Sequence, residues 1–232
     1  MIRQYPLDLR WPPHQRLDAF WPGANAAAWQ AMRDVAGGGD AWVYLHGPTG
    51  TGKSHLLIGA CRATAEAGQP ARYIALAGLP APRAAVFATL AVDGLIAIDG
   101  LEAIAGDGDA ETALFDAYNR ARAAGVRMVF AARAAPTELG IGLPDLVSRL
   151  AMCTQYTLHP LDDAGRRAML RLLAGRLGLR LDDEVLDWWF ARQPRDPASL
   201  VALLQRLDRA TLAAQRRITI PFLRELLSER SA

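Results

Sequence analysis

From residue 47 the chain runs Gly47-Pro48-Thr49-Gly50-Thr51-Gly52-Lys53-Ser54, a full G-x-x-x-x-G-K-S/T pattern. Residues of these types at this spacing suit a polyphosphate. Glycines let a loop curl so that backbone N–H groups face phosphate oxygens, and the N-terminus of a following helix adds positive partial charge. Lys53 is expected to reach the β- and γ-phosphates, the Ser54 hydroxyl to take a place on Mg²⁺, and His55 to lie beside the same ligand. Among 26 lysines and arginines Lys53 is the single lysine, marking a place that needs a compact, flexible ammonium rather than a planar fork.

A metal at such a loop needs a second carboxylate at the end of a neighbouring buried strand. The run Leu95-Ile96-Ala97-Ile98 closes on Asp99, which places that carboxylate at a C-terminal strand edge, where open α/β sheets bind ligands. Ser54 and Asp99 are therefore the expected Mg²⁺ ligands. The next residue is Gly100, at a place where many hydrolysing relatives of such loops carry a second acid to polarise water. Loss of a positioned base typically lowers a rate by ~10²–10⁴-fold. Glu102, two residues on, is not assigned that role. The residues favour nucleotide binding, ADP or ATP, over turnover, and intrinsic hydrolysis is expected to be weak or absent.

The elements that must position these groups follow from the hydrophobic pattern. Asn25 is expected to cap a helix over 26–36 that stops at Gly37-Gly38-Gly39. Strands at 41–46, 71–76, 95–98, 126–132 and 154–158 then alternate with helices at 53–67, 83–90, 109–124 and 144–150, with Asp109 as a cap. That alternation predicts an α/β fold, a doubly wound parallel sheet covered on both faces. After Pro160 only helical periods remain, at 162–177, 182–193, 197–215 and 221–229, which reads as a small helical lid. Residues 1–24, with Pro6, Pro12, Pro13 and Pro22, read as an N-terminal arm that lies on the surface or hangs free. The expected divisions are thus 1–24, 25–160 and 161–232.

Composition excludes several classes. The 232 residues are 51% hydrophobic and 22% charged, unlike a disordered chain. No apolar run approaches the ~20 residues that span a bilayer, and no apolar signal segment opens the chain. Cys61 and Cys153 fit no metal spacing. A formal charge of +2 is too small to mark a nucleic-acid surface. A cytoplasmic protein without membrane contact is expected.

The chain resembles the DnaA-related regulatory inactivator (Hda) family and, more distantly, the AAA+ domain of DnaA. The stretch between Lys53 and Asp99 has room for the extra strand–helix unit of AAA+ P-loop proteins. The likeness further rests on Gln4-Tyr-Pro-Leu-Asp-Leu9, Phe20-Trp-Pro-Gly-Ala-Asn25, Ile98-Asp-Gly-Leu-Glu-Ala-Ile-Ala-Gly106 and Leu114-Phe-Asp-Ala-Tyr-Asn-Arg120. It continues in Gly142-Leu-Pro-Asp-Leu-Val-Ser-Arg-Leu150, Leu207-Asp-Arg-Ala210 and Ala214-Gln-Arg-Arg-Ile-Thr-Ile-Pro-Phe222. The resemblance implies an adaptor that binds the DNA polymerase sliding clamp and promotes hydrolysis of ATP on DnaA, meeting DNA only through the clamp. Arg149 matches the family's arginine finger acting in trans. Gln4, Leu7 and Leu9 match a Q-x-x-L-x-L clamp-binding peptide, and extended chain would turn Leu7 and Leu9 to one side. A homodimer stays open.

Departures from the family are equally specific. Its sensor-1 position falls in Ala131-Ala132-Arg133, and its sensor-2 arginine position aligns with Asp196-Pro197-Ala198-Ser199, with Arg195 offset. The competing reading is an AAA+ ATPase of the helicase-loader or transposition-helper type, which would require the acid that Gly100 replaces.

Overall fold

Five runs of four to six residues, too short for buried helices, become the strands of one sheet: β1 (Val43–His46), β2 (Ala71–Ala75), β3 (Leu95–Asp99), β4 (Arg127–Ala132) and β5 (Thr154–Thr157). The computed structural model describes residues 15–80, 82–214 and 218–228. The clamp-peptide residues Gln4, Leu7 and Leu9 lie outside the described residues.

The sheet order is β2-β3-β4-β1-β5, and every pair is parallel. Parallel neighbours need crossover connections, which the intervening helices supply. These are α2 (Lys53–Glu66), α3 (Ala84–Ala88), α4 (Gly108–Ala123) and α5 (Pro144–Ala151), while α1 (Ala26–Ala36) precedes β1. Side-chain alternation splits the core in two. Tyr44, Ile74, Ile96, Ile98 and Phe130 pack with Leu114 and Tyr118 of α4 and Leu146 and Leu150 of α5. Val43, Leu45, Tyr73, Ala97, Val129 and Ala131 pack with α1 and α2 on the other face. A sheet buried on both faces is what continuous apolar strands require. The expected doubly wound α/β sheet is the one observed.

Two expected helix caps are different in the structure. Asp107, not Asp109, caps α4, accepting the Ala110 N–H at 3.1 Å, and Asp109 sits in the first turn. Asn25 occupies the cap position of α1 without a side-chain cap bond. Its amide instead donates to the His159 carbonyl at 2.9 Å, and its Oδ1 accepts the His159 N–H at 2.8 Å. Two bonds to chain 134 residues away outweigh one local cap.

Residues 15–20, expected as surface arm, are anchored to the core. Leu17, Ala19 and Phe20 are buried, and the Trp29 indole donates to the Leu17 carbonyl at 2.7 Å. Arg16 adds a two-pronged contact to Glu66 at 3.0 and 3.1 Å. Proline content near a segment says nothing about such side-chain docking.

The described chain forms two units, the one just given and a second comprising 21–24 with the residues from Pro160 onward. The second is helical: α6 (Asp163–Arg176), α7 (Asp183–Arg192), α8 (Pro197–Ala214) and α9 (Ile220–Ser228). Asp162 caps α6 through the Gly165 N–H at 2.7 Å. Leu170, Leu173, Leu186, Trp189, Leu200, Leu204, Leu207 and Leu223 fill its interior at the helical spacing seen in the sequence.

Candidate functional site

The loop from Gly47 to Gly52 leaves the C-terminal end of β1 and enters α2 at Lys53. Gly52 holds the turn in the left-handed region, at φ 96°. A Cβ there would also stand 2.6 Å from the Phe20 ring, so both conformation and space require glycine. Thr51 is buried, and its hydroxyl donates to the Pro48 carbonyl at 3.0 Å, closing the loop on itself. The Lys53 ammonium donates to the carbonyls of Gly47 at 2.6 Å and Pro48 at 2.8 Å. Its pKa is lowered, chiefly by burial, against the opposing pull of the Asp99 and Glu102 carboxylates. Thr49, Gly50 and Pro48 complete the exposed crest of this loop.

Asp99 ends β3 on the same sheet face as Ala97, the face that carries α2. Alternation thus brings it to the start of the loop helix, in keeping with its electrostatic effect on Lys53. Its Oδ2 accepts a hydrogen bond of 2.6 Å from the Tyr73 hydroxyl. Burial first, and then the Asp99 charge, raise the Tyr73 pKa, so the phenol remains a donor. The Ser54 side chain acts on the same phenol in the opposite sense. Ser54, the second residue of α2, and Asp99, at the end of β3, are the two oxygen-bearing side chains that the motif assigns to a cation. Both offer hard oxygen, which fits Mg²⁺, an ion that takes one or two protein ligands and completes its shell with water and phosphate.

Beyond Asp99 the polar chemistry thins. Gly100 lies at φ 82°, and its N–H donates to the Ala131 carbonyl at 2.9 Å. Ala131 and Ala132 are buried in β4, opposite Leu45 and His46 of β1. Glu102 pairs with Arg133, Nε to Oε1 at 3.1 Å, and also accepts the Arg133 N–H at 3.3 Å. That carboxylate is tied to the chain's own arginine. The His46 imidazole faces the Thr157 hydroxyl at 3.1 Å, and its pKa is lowered, first by burial. The His55 Nε2 lies 2.8 Å from the Arg16 carbonyl, and its ring stands edge-on to Phe20.

Arg149 lies in the last turn of α5 and is exposed. Its guanidinium makes no ion pair among the described residues. The loop before α5 is held by a residue that sequence reasoning passed over. Glu111, 2% exposed, accepts N–H bonds from Gly106 at 2.8 Å, Gly142 at 3.0 Å and Leu143 at 2.8 Å. In the helical unit, Asp196 caps α8, accepting the Ser199 N–H at 2.9 Å. Arg195 is occupied by the Phe190 carbonyl at 2.8 Å and Asp163 at 2.6 Å.

Comparison with known proteins agrees with this layout. Residues 163–227 match the family model of the Hda lid domain. Domain III of the Thermotoga maritima replication initiation protein DnaA superposes with a TM-score of 0.74 at 21% identity, over 94% of this chain and 98% of that one. AMPPCP-bound DnaA from Aquifex aeolicus gives 0.68 at 18% identity, over 84% of this chain and 65% of that one. The Thermotoga maritima RuvB Holliday junction branch migration motor gives 0.60 at 15%, over 89% and 68%. At these identities the likeness is one of fold. Among the described residues no helix is long and apolar enough to cross a membrane.

Proposed function

We propose, from the premise that this chain is an AAA+ protein related to Hda and DnaA, that it is a nucleotide-holding adaptor which restrains replication initiation. The observation that carries the reading is the contrast within one site. Lys53 starts α2 and Asp99 ends β3, which supports a phosphate and metal side, while the residue after Asp99 is a glycine in left-handed conformation. Such a site binds ADP or ATP and turns it over slowly, with ADP as the resting ligand.

The loop backbone and Lys53 would hold the phosphates; Ser54 and Asp99 would hold Mg²⁺, which when bound offsets phosphate charge. The chemistry that matters occurs on a partner. Arg149, exposed and permanently charged, is offered to ATP bound on DnaA, where a guanidinium in trans stabilises charge developing in the transition state. Docking on the sliding clamp falls to Gln4, Leu7 and Leu9, so that DNA is met through the clamp, in the cytoplasm.

Hydrolysis by ATP-bound DnaA, measured with DNA-loaded clamp and this protein as wild type, Arg149→Ala or Leu7→Ala/Leu9→Ala, tests the reading. Wild type is expected to accelerate hydrolysis, and Arg149→Ala to remove the acceleration while still binding clamp; loss of a finger in related sites costs ~10³–10⁵-fold. The double leucine variant should lose roughly two to three decades of clamp affinity with its melting temperature unchanged. Acceleration retained by Arg149→Ala, or vigorous ATPase from the protein alone, would overturn it.

A further inference from the structure

Tyr73 pairs in register with Ala97, two residues before Asp99, and shares that sheet face. Its ring is packed among the residues under α1 and α2 and is 9% exposed. The hydroxyl donates to Asp99 Oδ2 at 2.6 Å, at the end of β3. A donor held this way has a fixed position, because its ring is locked by the core and its strand by the ladder on β3.

A carboxylate without such a partner rotates freely about its terminal torsion, whose energy profile is broad. Mg²⁺ demands near-ideal octahedral geometry, so a loosely oriented ligand binds it poorly. Asp99 Oδ1 accepts no hydrogen bond among the described residues and is the oxygen left for a cation. We propose that Tyr73 is a positioning residue for the metal side of this chain's nucleotide site, clamping one oxygen of Asp99 so that the other is presented to a divalent cation. Neither motif nor resemblance points to it, since it lies in an apolar strand between them. The inference rests on the nucleotide-holding reading above.

The test compares wild type, Tyr73→Phe, Asp99→Asn and the double variant by ADP calorimetry in Mg²⁺ and in EDTA, with direct Mn²⁺ binding followed by electron paramagnetic resonance. Phenylalanine keeps the buried ring, so the fold and the affinity in EDTA should be retained. The gain in affinity on adding Mg²⁺, and Mn²⁺ binding itself, should fall by about 10–100-fold or to the point of disappearing, the usual size for losing the partner of a metal ligand. In the Asp99→Asn background Tyr73→Phe should change the Mg²⁺ gain no further, a non-additivity that a merely structural tyrosine would not produce. An unchanged Mg²⁺ gain in Tyr73→Phe, independent additive losses, or a wild type indifferent to Mg²⁺ would overturn the inference while leaving ADP binding standing. A wild type that binds ADP in neither buffer would overturn the nucleotide reading itself.

Discussion

The two sides of Asp99 are built on opposite terms. On the loop side, Thr51, Lys53 and Tyr73 each have a defined hydrogen-bond partner, and Gly52 leaves the space that the Phe20 ring fills. On the far side, Gly100, Ala131 and Ala132 offer no side-chain polar atom, and Glu102 is spent on Arg133. Within the helical unit by itself, Asp196 caps α8 and Arg195 pairs with Asp163. Holding a phosphate and breaking one are thus separable demands. On the proposed reading the first would be met by backbone geometry and one ammonium; the second would need polar groups, which Gly100, Ala131 and Ala132 do not carry.

The largest expected effect tests the loop side. Lys53→Ala should weaken ADP binding by roughly 10–100-fold in calorimetry, the equivalent of losing one strong charge-assisted bond, with the fold intact. Lys53→Arg should weaken it as well, since a planar fork does not replace a point charge. Equal affinity in wild type and Lys53→Ala would erase the contrast between the two sides.

The next effect tests the far side. Gly100→Glu puts an acid where a hydrolysing site would have one, yet the backbone there is left-handed at φ 82°. A side chain in that region costs about 1–2 kcal/mol, equivalent to roughly 2–8 °C in melting temperature for a chain of this size. Scanning calorimetry should register that loss, while intrinsic ATP hydrolysis stays at the wild-type level. A marked rise in hydrolysis would mean that one residue, not a whole side of the site, withholds turnover.

The smallest effect concerns the helical unit. Asp196→Ala removes the cap of α8 and should lower stability by ~1 kcal/mol without altering ADP affinity. Hydrogen bonds from Ser199, side chain first and then backbone, hold the Asp196 carboxyl below its ordinary 3.8. A depressed folded value means the stabilisation is fully present above the unfolded value and is lost as pH falls through the folded one. The melting difference between wild type and Asp196→Ala should therefore shrink on acidification below the ordinary carboxylate range. A constant difference at all pH values would detach the effect from the ionised cap.

The sequence by itself determined what is local. Gly47 to Ser54 carry the phosphate pattern because glycine conformations and one lysine are enough to state it. Leu95 to Asp99 announce a buried strand ending in a carboxylate, and the alternation of apolar runs with helical periods specifies a parallel α/β sheet. Gly100 could be read as the missing acid directly. Tertiary structure decided which of these groups meet. Tyr73 looks like one more apolar strand residue until β2 is known to lie beside β3, and only the register carries its hydroxyl to Asp99. Asn25 reads as a cap until His159 offers two backbone bonds, and Glu111 reads as a helix-face acid until the 142–143 loop folds onto it. In each case a short polar side chain has several partners of similar energy within reach, and the choice among them is made by packing of the chain around it rather than by its neighbours in sequence.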